Sequence, residues 1–235
     1  MGALQPAFLR MPGGNYLEGN TIDQRFEWKN TIGPIEQRAG HQGPWGYRSD
    51  DGLGLLEFLE WCEDLNMQSV LAVYAGYSLN GTHVNPGTDL APFVQDALDE
   101  IQYVTGAVST PWGAQRAADG HPRPFPLTFV EVGNEDFFDG SGSYDARFTQ
   151  FYDAIKAAYP NLQVIATTGV KSRKPDVLDE HFYETPRMLS TRRAPLRQSY
   201  QDRSKDLRRR VGGTRRQADT GPGSRPGGCG LADGT

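Results

Sequence analysis

Residues 127–136, Leu-Thr-Phe-Val-Glu-Val-Gly-Asn-Glu-Asp, begin as a buried strand and end in groups that can do chemistry. Leu127, Phe129, Val130 and Val132 are apolar and Thr128 is β-branched, the composition of a core strand. The run stops at Gly133-Asn134-Glu135-Asp136. Gly, Asn and Asp are turn residues, so one reading is a strand that simply runs into a turn. The other is a carboxylic acid aimed out of a strand tip with an amide beside it. Such an acid can protonate the leaving oxygen of a glycosidic bond, while the amide holds the neighbouring sugar hydroxyl. Glycoside hydrolysis uses two carboxyl groups flanking the bond, about 5–5.5 Å apart when configuration is retained. Glu131 and Asp136 read as structural, and Glu131, in mid-strand, needs a partner if it is buried.

The elements that would position this tip follow from periodicity. Ala7–Met11 reads as a short strand closed by Pro12-Gly13-Gly14-Asn15. A long polar loop over roughly 16–51 carries Trp28, Gly33-Pro34, Arg38, His41 and Trp45; its aromatics suit either sugar stacking or a loop core. Leu55, Leu56, Phe58, Leu59, Cys62 and Leu65 fall at helical spacing over 53–65, with Cys62 a buried thiol. Ser69–Tyr74 is a strand, 91–105 a helix, 106–126 a Pro- and Gly-rich loop, 144–159 a helix and Leu162–Thr168 a strand. Val177–Tyr183 reads as another strand. Strand alternating with helix means parallel βαβ units, either a (β/α)8 barrel or a doubly wound sheet. No G-x-G-x-x-G or P-loop is present, which removes the signature of a nucleotide-binding sheet. Polar groups at successive strand ends, Asn15, Tyr77, Asn134-Glu135 and His181 with Tyr183, are the barrel pattern.

Composition narrows the partners. The chain has 235 residues and a formal net charge of −5, which argues against a general nucleic-acid binder. No apolar run reaches the roughly 20 residues of a membrane span, and the start lacks the apolar core of a signal peptide. Asn80-Gly81-Thr82 is a glycosylation sequon, a hint of a secretory context. Charge is unevenly spread: 12 of the 24 basic and 4 of the 29 acidic residues fall within Arg187–Thr235, leaving +8 there and −13 over 1–186. From 212 to 235, 10 of 24 residues are Gly or Pro. Such a segment buries too little apolar surface to offset its ordering entropy, so 191–235 is expected to be a disordered tail behind a folded domain over 1–190. A shift of reading frame in a GC-rich coding sequence produces this kind of composition.

Taken together, Arg10-Met11-Pro12-Gly13-Gly14-Asn15, the loop with Trp28 and Gly33-Pro34, Gly133-Asn134-Glu135, and Asp179-Glu180-His181-Phe182-Tyr183 resemble glycoside hydrolase family 51 of the fungal type, from about Gln5 to about Leu189. The resemblance implies an α/β fold, a partial (β/α)8 TIM barrel of about strands two to six. It implies retaining removal of terminal α-L-arabinofuranosyl groups from arabinoxylan or arabinan, with no metal or cofactor, outside the cell. The partner would be an arabinose-containing polysaccharide or oligosaccharide, with no nucleic acid and no membrane. By the same resemblance Glu135 is the acid/base and Asn134 holds the sugar 2-hydroxyl. Asn15 lies in the −1 subsite, His181 and Tyr183 match a His-x-Tyr near the nucleophile, and Trp45 is a substrate-facing aromatic.

Two departures qualify this. The family places its nucleophilic Glu on a later strand, but beyond Tyr183 the sole glutamate is Glu184, and the other carboxylates are Asp202, Asp206, Asp219 and Asp233 in the tail. The nucleophile is therefore expected to be absent and the chain inactive as written. The family's first strand is also expected to be missing. Other readings are a non-catalytic carbohydrate-binding remnant, or another retaining glycosidase of the same clan such as a xylanase or endoglucanase.

Overall fold

The computed structural model of the chain describes residues 2–183. The expected disordered tail and the domain limit at residue 190 lie outside the described residues. Five parallel strands form one sheet: β1 (Phe8–Met11), β4 (Gln68–Val73), β5 (Phe129–Val132), β6 (Gln163–Ala166) and β7 (Val177–Leu178). A two-stranded hairpin, β2 (His41–Gln42) with β3 (Arg48–Ser49), stands apart. The helices are α1 (Gly14–Glu18), α2 (Leu55–Asp64), α3 (Ala91–Thr105), α4 (Pro111–Ala118) and α5 (Tyr144–Ala158). The order β1-β4-β5-β6-β7 follows the chain without reversal. A doubly wound sheet reverses at a switch point, whereas a barrel adds each strand beside the last. The fold is thus α/β, with the strand order of a (β/α)8 barrel.

Register sorts the sheet residues into two faces. Arg10, Val70 and Phe129 are aligned partners, as are Ala72, Glu131 and Ile165, and alternate residues of one strand share a face. Arg10, Val70, Ala72, Phe129, Glu131 and Ile165 therefore line one side. Met11, Leu71, Val130, Val132, Val164 and Ala166 line the other, each fully buried. The deeper face packs with Leu55 and Leu59 of α2, Ile101 of α3, and Phe148, Phe151 and Ile155 of α5 in one apolar core. Strands buried on both faces read as continuous apolar runs, which is why β4 and β5 lack alternation.

Three expectations are revised. The 106–126 segment is not all loop: Thr110 caps α4 by accepting from the Gly113 amide at 3.2 Å, and Pro111 takes the first helical position. A Cβ on Gly113 would lie 2.0 Å from the Ala107 carbonyl oxygen, so glycine marks close backbone contact here. The long 16–51 loop holds the end of α1, three short 3-10 turns and the β2–β3 hairpin. Its Trp28 is core, donating from Nε1 to the Asp96 carbonyl at 3.2 Å. Finally, β7 ends at Leu178, so His181 and Tyr183 lie on the segment past the strand.

α4 is anchored by Arg116, which is fully buried and donates to the carbonyls of Tyr103, Val104, Gly106, His121 and Pro122. Among the described residues no carboxylate hydrogen-bonds Arg116; one guanidinium collects the carbonyls at the end of α3 and beyond α4. Arg116→Met would leave those carbonyls without their donor. We expect it to destabilise the fold by about 3 kcal/mol or more, read as a shift in the urea midpoint; an unchanged midpoint would contradict this role.

Candidate active site

The carboxyl end of β5 turns sharply. Gly133 has φ 90°, and a Cβ there would meet Asp136 Oδ2 at 2.0 Å, so only glycine fits. Glu135 is left-handed at φ 46° and ψ 34°, a conformation that costs a non-glycine residue energy and gathers at functional sites. The surroundings hold it there. Asp136, fully buried, accepts from Thr167 Oγ1 at 2.8 Å and from Arg147 Nη2 at 3.2 Å. Arg147 also donates to Asp139 at 2.7 Å and to the Ala75 carbonyl. Tyr144 of α5 donates to the Val132 carbonyl at 2.7 Å and accepts from the Thr167 amide at 3.0 Å. Burial pushes the Asp136 carboxyl up to about 6 although Arg147 and Thr167 pull it down.

Glu135 Oε1 meets two groups from the segment after β7. His181 Nδ1 lies 2.7 Å away, and the Tyr183 hydroxyl donates to the same oxygen. His181 Nε2 is 2.8 Å from Asp179 Oδ2. Burial alone would lower the His181 pKa, but the Glu135 and Asp179 carboxylates outweigh it and raise it. The resemblance expects Tyr183 beside the nucleophile; here its hydroxyl contacts Glu135.

Asn134 is 1% exposed and held from both sides of its amide. Oδ1 accepts from Arg10 Nη2 at 2.9 Å; Nδ2 donates to Glu18 Oε2 at 2.8 Å and lies 3.5 Å from Asn15 Oδ1. Arg10 also pairs through Nε and Nη2 with Glu131, the partner that mid-strand carboxylate requires. Asn15, Asn134, Glu135, His181 and Tyr183 are therefore joined in one neighbourhood. Trp45 reaches it differently: it is 57% exposed on the β2–β3 turn and stacks on Tyr16, centroids 6.3 Å apart, next in sequence to Asn15. Among the described residues no cluster of three or more His, Cys, Asp or Glu could hold a metal ion.

Glu18 is the residue that sequence reading misses. It ends α1 in a polar stretch with no periodic signal, and only the folded chain reveals that it is 2% exposed beneath Asn134. Burial pushes its carboxyl up to about 8, Asp136 and Glu135 adding to the shift, while Asn134 and Arg10 oppose it. Arg10 and Asp179 do carry a sequence signal, since both belong to the motifs Arg10–Asn15 and Asp179–Tyr183.

A parallel sheet in barrel order with a carboxylate, an amide and a histidine gathered past its carboxyl ends defines the class, a barrel-type α/β protein with its polar site at the strand tips. Comparison with known proteins supplies the family. Residues 1–204 match the α-L-arabinofuranosidase 1 domain. Probable α-L-arabinofuranosidase A of Aspergillus terreus is 48% identical over 193 residues, covering 78% of this chain and 31% of that protein. α-L-Arabinofuranosidase 2 of Arabidopsis thaliana is 41% identical over 192 residues, 79% of this chain and 28% of that one. An arabinose-bound GH51 α-L-arabinofuranosidase superposes with a TM-score of 0.78 at 45% identity, over 81% of this chain and 31% of that structure. The chain belongs to the α-L-arabinofuranosidases of glycoside hydrolase family 51. It spans about a third of the length of these relatives.

The raised Glu18 value has a consequence for stability. An unfolded glutamate ionises near 4.5, whereas folded Glu18 keeps its proton to about 8. The folded state thus binds the extra proton, and stability falls as pH rises between those values. We expect Glu18→Gln to make the fall in Tm over this interval shallower, by melts at several pH values; an unaltered slope would contradict the assignment.

Proposed function

We propose that the chain carries the acid/base half of a retaining α-L-arabinofuranosidase site. Glu135 is the acid/base: it protonates the leaving oxygen of a terminal α-L-arabinofuranosyl group and then deprotonates the attacking water. The observation that carries this reading is its placement, in a left-handed turn at the tip of β5 with Oε1 taken up by His181 and Tyr183. Among the described residues nothing bonds Oε2, which is the oxygen left to pass the proton. Asn134 holds the sugar 2-hydroxyl, Asn15 lines the −1 subsite, and Trp45 offers a ring to the chain of sugars beyond it. The substrate is an arabinose-containing polysaccharide or oligosaccharide, met outside the cell. Positioning and acid/base catalysis require no metal or cofactor in this scheme. The arabinose-bound relative and the family match support the substrate class.

Beyond Tyr183 the sequence holds one glutamate, Glu184. A second reading is that the chain as written binds arabinofuranosides with little or no turnover. Both readings are tested with aryl and methyl arabinofuranosides, xylosides and glucosides. We expect binding that prefers arabinofuranosides and at most slow hydrolysis. A preference for xylosides or glucosides would point to another glycosidase of the clan and sink the proposal. Any hydrolysis of a substrate with a poor leaving group should fall about 10²–10⁴-fold in Glu135→Ala. If that variant kept its rate there, Glu135 would not be the acid.

A further inference from the structure

Resting on the reading that Asn134 holds the sugar 2-hydroxyl, we propose that Glu18 is a positioning residue that, opposite Arg10, takes one Nδ2 proton of the Asn134 amide, holds the amide plane and so directs its second N–H to the ligand. An asparagine amide can be turned end for end with little change in shape, exchanging a donor pair for an acceptor. In an active site that exchange would swap attraction to a hydroxyl proton for attraction to a hydroxyl oxygen. Two neighbours hold the two ends of the amide, the partly exposed Arg10 and the buried Glu18. Arg10 has only donors, so the atom facing it must be Oδ1, and the distance is 2.9 Å. Glu18 faces the other end, and its Oε2 accepts from Nδ2 at 2.8 Å.

The amide nitrogen carries two protons. One is taken by Glu18. The other faces Asn15 Oδ1 at 3.5 Å, the outer limit of a hydrogen bond, so a sugar hydroxyl can take it with little loss. Asn134 thereby keeps one donor in reserve, aimed away from Glu18 and beside Glu135.

Glu18 is built to hold still. Its own carbonyl accepts from Ser78 Oγ at 2.8 Å, which ties α1 to the segment after β4. The turn that follows is tight, since a Cβ on Gly19 would lie 2.3 Å from the Gln24 carbonyl. Burial keeps its carboxyl protonated over most of the neutral range, so the group gives Asn134 an acceptor without placing a second full charge beside Glu135. Glu18 touches no reacting atom in this scheme; it acts through Asn134.

The test uses the full chain and two probes, methyl α-L-arabinofuranoside and its 2-deoxy analogue, titrated by NMR. The wild-type chain should bind the first about tenfold more tightly, the worth of one hydrogen bond to a well-placed donor. Glu18→Leu removes the acceptor and should bring that ratio close to one. Glu18→Gln retains a carbonyl oxygen for Nδ2 and should keep most of the preference. A merely structural residue would weaken both probes equally and leave the ratio intact, so a preserved ratio in a folded Glu18→Leu chain overturns the inference. If Glu18→Leu does not fold, Glu18→Gln and Glu18→Asp decide: Gln must hold the ratio and Asp, one methylene short of Asn134, must lower it, and the reverse overturns the inference. A wild-type chain that binds neither probe, or binds both equally, overturns the reading of Asn134 and this inference with it.

Discussion

A guanidinium can give hydrogen bonds but cannot take them, and the site rests on that constraint at Arg10. Its side chain leaves β1 and crosses to β5, passing the row where Ala72 of the intervening β4 has only a methyl group. There it satisfies Glu131, which would otherwise be a bare charge inside the sheet, and fixes Asn134 Oδ1. Removing one partner of such a pair leaves the other buried and unpaired, a heavier cost than the pair itself is worth. The same contact decides the geometry of the strand tip. With Oδ1 committed to Arg10 and Nδ2 to Glu18 of α1, the amide is held at both ends, and Glu135 follows as the next residue of the turn.

Much of the architecture was legible in the sequence because apolar periodicity is a local property. α3 lies within the limits its pattern gives, and α2, α5, β4 and β6 differ from theirs by at most two residues at either end. α4 was hidden because its start, Pro111, and its Gly113 are the residues that usually signal a loop; their role as first helical position and close-contact residue depends on Thr110 and Ala107. β7 was over-extended for the opposite reason. Val177–Tyr183 has strand-like residues, but pairing with β6 stops at Leu178, opposite Ala166. His181 and Tyr183 then reach Glu135 from irregular backbone. At the site, Glu135 and Asn134 stood out because charged and amide groups end an apolar run. Glu18 did not, because a single acid in a polar stretch carries no sign of where the chain will put it. Trp28 and Trp45 sit in the same loop and look alike in sequence, yet one is core and the other is exposed.

Two other arginines show how the fold deals with backbone that has left its ladders. Arg116 gathers carbonyls around α4, and Arg147 joins the Ala75 carbonyl, at the end of β4, to Asp136 and Asp139 after β5. Both are fully buried. Irregular backbone inside a protein must have its polar groups met by something, and a long side chain with five donors can reach several at once. In Arg147 this has a direct bearing on the site: it braces the turn in which Glu135 is held in its unfavourable backbone conformation.

The residues of this site are remote from one another along the chain. Arg10 meets Glu131 and Asn134 across separations of 121 and 124 residues, and Asn134 meets Glu18 across 116. Contacts of this kind give a high contact order, and their loop-closure entropy must be met before they contribute anything. No short stretch of the chain can therefore hold a remnant of the site by itself. The Asn134 amide is held by groups that meet only when β1, α1 and β5 are all in place around β4, so the site depends on the assembly of the sheet.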